Sequence, residues 1–165
     1  MELSITVDNE LRPELGDFIS IVCFKAVVSG IEEALGEQAA LVALVSAGRK
    51  RGRQLANSLG LAEGNYSLEE ATKLIQKVLG EQGTRLCLID FIEKTENGFR
   101  LACRETICSS GEAPGSAVNL SYTLGAIQGA LETMFKVRLR GKQVESVLRG
   151  SDQDIIEFSI LGQVN

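Results

Sequence analysis

The residue types that run most enzymatic chemistry are thin in this sequence. It contains no histidine, which removes the commonest general acid–base group and the commonest metal ligand. Ser-His-Asp and Cys-His catalysis, HExxH zinc sites and histidine-ligated haem are excluded together. Cys23, Cys87, Cys103 and Cys108 match no zinc spacing and are expected to be free packing thiols. No GxGxxG follows a strand and no GxxxxGK[S/T] occurs, so nucleotide chemistry on a phosphate-binding loop is not expected. The carboxylate pairs Glu32-Glu33 and Glu69-Glu70 are adjacent in sequence, point to different helix faces and read as surface charge. No catalytic set, metal site or cofactor is expected.

Two other groupings remain. Arg49, Lys50, Arg51 and Arg53 form the one dense basic cluster. It reads either as a solvated helix face or as a patch for an anionic ligand, an acidic partner or a membrane surface. Further along, Ser121, Gly125 and Gly129 fall at i, i+4 and i+8, a stripe of small residues beside Leu120, Leu124, Ile127 and Leu131. Such a stripe either lets another backbone approach closely or walls a narrow apolar cavity. Gly48 and Gly52 repeat the small-residue spacing within the basic helix and read as close packing.

The elements that must position these residues follow from periodicity. Apolar residues at helical spacing predict a first helix from Pro13 to about Leu35 and a second from Glu37 through Leu59. Ser67-Leu68-Glu69-Glu70 reads as a capping box opening a third helix to about Leu79. Strand-like periodicity covers Leu86 to Glu93 and Phe99 to Ile107. A fourth helix is predicted over Ser116 to Met134, then strands over Lys136 to Arg149 and Asp154 to Leu161. The order ααα-ββ-α-ββ describes an α+β fold with helices packed on an antiparallel four-stranded sheet. In the first hairpin, a three-residue Glu96-Asn97-Gly98 loop with Gly98 left-handed pairs Asp90 with Arg104 and sets Cys87 and Cys108 on opposite faces.

The chain has 165 residues, 44% of them hydrophobic and 24% charged, which is enough for one domain over residues 1–165 with its own core. Lys and Arg number 17 against 22 Asp and Glu, a net charge of −5, so duplex nucleic acid is an unfavourable partner. The start, Met1-Glu2-Leu3-Ser4-Ile5-Thr6-Val7-Asp8, carries acids where a secretory leader carries bases. A cytoplasmic location with reduced thiols is expected, and peripheral attachment to a membrane surface is compatible with the basic cluster. The longest apolar stretch, around Phe18 to Ile31, is broken by Lys25 and too short for an integral membrane span. It is apolar nearly all round, which predicts a homodimer or a larger assembly.

Ser121-Tyr122-Thr123-Leu124-Gly125-Ala126-Ile127-Gln128-Gly129, then Val144-Glu145, Gly150 and Glu157-Phe158-Ser159-Ile160, resemble the 4-vinyl reductase domain family, also described as hydrocarbon-binding. The resemblance covers about the last quarter of the chain. It implies the fold of trafficking-complex (TRAPP-type) subunits, helices on an antiparallel sheet, often dimeric. It further implies a hydrophobic small-molecule ligand, in its sharpest version a tetrapyrrole in photosystem assembly. Ser121, Tyr122, Gly125, Gly129 and Phe158 are the ligand-binding residues it suggests. The zinc ligands of some members, three cysteines and a glutamate, fall here at Ser121, Glu145, Leu148 and Ile156. Leucine and isoleucine cannot ligate, so that metal site is not carried over. Vinyl reduction needs a reducing cofactor for which the sequence offers no recognisable site. Non-catalytic binding or escort is therefore the favoured function. The alternative is a ligand-free module acting through dimerisation and a protein-complex partner.

Overall fold

A computed structural model describes residues 12–164; the acidic start at residues 1–8 lies outside the described residues. Three helices come first: α1, Ile21–Leu35; α2, Glu37–Ser58; and α3, Leu68–Leu79. Strands β1, Leu88–Thr95, and β2, Gly98–Arg104, precede helix α4, Tyr122–Phe135. Strands β3, Val137–Glu145, and β4, Asp154–Gln163, follow around a short 3-10 turn at Val147–Arg149. The sheet is antiparallel with strand order β1-β2-β4-β3, and the element order is the predicted one.

Element ends differ where side chains offer the backbone another partner. Helix α1 begins at Ile21, not at Pro13, because the Ser20 hydroxyl accepts from Val22 N at 3.2 Å and caps it there. Helix α4 begins at Tyr122 rather than Ser116. The Ser116 hydroxyl accepts from Val118 N at 3.2 Å and Gln143 Oε1 accepts from Leu120 N at 2.8 Å. Both bonds compete with helix for residues 116–120. The capping box of α3 is present as read, with Ser67 Oγ accepting from Glu70 N and Glu70 Oε2 accepting from Ser67 N.

The first hairpin departs from its expected register. Thr95 lies opposite Gly98 across a two-residue Glu96-Asn97 loop, and Gly98 is not left-handed. Glycine is needed there for another reason: a Cβ would fall on the Phe158 carbonyl of β4. A bulge between Ile89 and Phe91 then shifts the ladder. Arg104 Nε still donates to Asp90, at 2.9 Å, but Ile89 and Ile92 turn inward while Phe91 is half-buried. Strand β2 ends at Arg104, where Glu105 takes φ 49°, so Cys108 lies beyond the ladder. Cys87 and Cys108 share one core instead of opposite faces, and all four cysteines are free thiols.

Helix α4 sits at the centre. It packs along α2 on one side and against β3 on the other, while α3 covers β1 and α1 lies on α2. Every residue from Thr123 to Glu132 is buried.

Candidate functional site

The small-residue stripe of α4 meets the small residues of α2. A Cβ on Gly125 would fall on the Val45 carbonyl, and one on Gly129 on the Arg49 carbonyl. Gly48 and Gly52 sit equally close to the backbone of Tyr122 and Ala126. The two glycine pairs interlock as a seam between helices, so Gly125 and Gly129 do not wall a cavity. Phe158 is 2% exposed and belongs to the core beside Gly141 and Leu124.

The seam is fastened by Glu132, an acid 6% exposed within the apolar α4. Its carboxylate accepts from Arg49 Nε and, at 2.8 Å, from Arg49 Nη2. It also accepts from Leu139 N at 2.9 Å and Gln128 Nε2 at 3.2 Å. A buried carboxylate is held by such pairing and hydrogen bonding. An acid and an amide in the middle of an apolar helix were the sequence signals for it.

A cavity of about 300 Å³ opens where the seam ends, between α1, the first half of α2 and residues 116–121. Phe24, Val28, Leu41 and Leu44 supply apolar walls, and Cys108 and Ser121 supply polar atoms. Cys108 Sγ lies 3.4 Å from Thr123 Oγ1 and 3.8 Å from Ser121 Oγ. Lys25 latches the rim, donating to Glu112 Oε1 at 2.7 Å and to the Cys108 carbonyl at 3.0 Å. A second cavity, of about 440 Å³, lies between α2, α4 and β3 against Val45, Leu120, Leu124 and Leu139. Leu41 and Asn119 line both cavities. Of the ligand-binding residues suggested from sequence, only Ser121 lines the first, together with Cys108 and Glu32, which were read there as a packing thiol and as surface charge. Tyr122 stands behind it, edge-on to Phe24 with ring centroids 5.6 Å apart, and burial pushes its phenol pKa up. Leu41, Leu44, Phe24, Val28 and Cys108 were missed because their apolar spacing looks the same as that of core residues.

The buried thiols are poor nucleophiles. Burial pushes Cys87 up to about 12 and raises Cys103 further, so neither ionises near neutral pH. Burial also raises Asp154. Its Oδ1 accepts from Gln143 Nε2 at 2.9 Å and Val147 N at 3.1 Å. Among the described residues, no group of three cysteine or acidic side chains is placed to hold a metal ion.

The basic cluster divides. Arg49 and Arg53 face a groove shared with β3, Lys50 is exposed, and Arg51 lies near enough to Tyr122 to act on its phenol. Among the described residues no helix is long and apolar enough to cross a membrane.

No family model matches the chain, and no curated protein matches it by sequence. Solved structures do match its fold. The phenol-responsive sensory domain of the transcription activator PoxR, solved with phenol, aligns with a TM-score of 0.71 at 12% identity over 88% of this chain and 76% of that one. A trafficking protein particle complex subunit 3 from Naegleria fowleri, covalently bound to palmitic acid, gives 0.57 at 16% identity over 88% and 95%. A vinyl-4-reductase family protein from Methanocaldococcus jannaschii gives 0.52 at 16% identity over 93% and 88%. The chain therefore has the fold shared by these three proteins, the fold that the sequence resemblance implied.

Proposed function

We propose that the chain acts as one domain that binds a hydrophobic small molecule, without catalysis, in the cleft between α1, α2 and residues 116–121. The observation that carries this reading is the first cavity, in which Phe24, Val28, Leu41 and Leu44 form an apolar side and Lys25, Glu32, Glu37, Gln38 and Asn119 a polar one, a lining that suits a hydrophobic molecule with a polar end. Its volume of about 300 Å³ suits one or two aromatic rings or a short acyl chain, since a cavity of about 150 Å³ accepts benzene. Neighbours solved with phenol and with palmitic acid support a ligand of this class. A tetrapyrrole is larger and needs the two cavities joined by displacement of Leu41 and Asn119. The high thiol pKa values of Cys87 and Cys103 support binding over covalent chemistry at those two residues.

The test is titration of the purified protein with phenol, naphthol, decanoic acid and protoporphyrin, alongside Val28→Trp, which fills the cavity from α1. Saturable binding of at least one probe is expected, lost in Val28→Trp with the melting temperature retained. No binding of any probe, or equal binding by the variant, overturns the assignment.

A second reading rests on a different observation. Phe18 and Ile19 are 61% exposed and Val22 71%, an apolar face that a second copy of this chain would cover. We infer that this face is a homodimer surface.

A further inference from the structure

An open groove of about 680 Å³ lies between the second half of α2 and the corner joining α4 to β3. Arg49 and Arg53, one turn apart, present the same face of α2 to it. Lys136, which ends α4, and Arg138, in β3, line the opposite wall, with Val137 and Val164 beside them. Four cations thus converge from elements distant in sequence, in a protein whose net charge is −5. Glu132 neutralises and orients Arg49. Among the described residues, Arg53, Lys136 and Arg138 have no anionic partner. Lys136 also holds the left-handed conformation at the end of α4, φ 53° and ψ 43°, where glycine is the residue free of strain.

We propose that this groove binds a phosphate group. Three unneutralised cations match a dianion, and arginine forks with a lysine point charge are the side chains that recognise phosphate oxygens. The three cations are exposed, so the attraction is screened by salt and weakens as ionic strength rises. The site is independent of the hydrophobic cavity, which involves the opposite end of α2.

Inorganic phosphate and glycerol phosphate are titrated calorimetrically, and vesicles of phosphatidylcholine with or without phosphatidic acid are tested by flotation. Binding in the calorimeter assigns a soluble phosphate ligand. Binding confined to vesicles containing phosphatidic acid assigns a lipid headgroup. Either result supports the site when the double variant Arg53→Gln, Arg138→Gln weakens it about tenfold or more and Lys50→Gln, outside the groove, leaves it unchanged. Lys136→Gly removes a cation and relieves the left-handed strain, so it is expected to weaken binding while raising the melting temperature. No binding in any arm, or binding by the double variant as tight as the parent's, overturns the proposal.

Discussion

Helices α1 and α4 are both apolar nearly all round, and they end in opposite situations. In α4 the residues from Thr123 to Glu132 are all buried; in α1 no residue is. Helix α4 carries glycines on one face and an acid–amide pair on another, so it accepts the backbone of α2 and the edge of β3 together. Helix α1 touches α2, holds Lys25 against Glu112, and turns Val22 and Val27 outward at 71% and 58% exposure. An all-round apolar helix has to be covered. Composition does not say whether the cover comes from the same chain, and large exposed apolar patches are a common mark of interaction surfaces.

The largest expected effect tests the α4 half of the comparison. Gly125→Leu or Gly129→Leu puts a side chain where α2 backbone stands. Overpacking in cores costs about 1–3 kcal/mol and occasionally more, and the upper end applies here because backbone has to move. Thermal melts should show both variants well below the parent. Variants melting with the parent would mean that the seam is loose and that the stripe faces open space after all.

The next effect tests the α1 half. Val22→Lys with Val27→Lys removes two apolar contacts from the outer face and nothing from the core. Light scattering should report a mass near twice 17.8 kDa for the parent and the single-chain value for the variant. Surface changes away from packing move stability by within about 0.5 kcal/mol, so the variant monomer should remain folded. A parent already monomeric at micromolar concentration would break the dimer assignment.

The same contrast shows what was legible in the sequence. Element order, the α3 capping box and the Asp90–Arg104 pair are local features, carried by periodicity and by short-range charge. The register of β1 against β2 was misread because a bulge at Asp90 restores the ion pair in a different ladder. The identity of two residues cannot distinguish those routes. The Gly125 and Gly129 stripe was seen, but its partner decides its meaning, and that partner is the equally small pair on α2. Cavity residues such as Leu41 and Val28 were invisible because a cavity is a gap between elements. Lys136 and Arg138 joined Arg49 and Arg53 only once β3 was folded beside α2.

The smallest expected effect is also the cleanest comparison of the two helices, because it makes one substitution type at a matching residue. Gly30 follows Val22 and Ala26 at i+8 and i+4 on the outer face of α1, and a Cβ there would meet nothing within 4 Å. Glycine in a helix interior is about 1 kcal/mol less favourable than alanine. In the monomeric Val22→Lys, Val27→Lys background, Gly30→Ala should therefore stabilise by up to about 1 kcal/mol. Gly125→Ala should destabilise, since even one methyl falls on the Val45 carbonyl. Denaturant unfolding of the two variants measures both signs. A loss at Gly30 in that background would show that the chain itself covers the outer face of α1. The contrast between the helices would then rest on side-chain size alone. A gain there, paired with a weaker dimer when Gly30→Ala is made in the parent, would place the partner's backbone against Gly30. The dimer would then repeat between chains the glycine contact that α2 and α4 make within one.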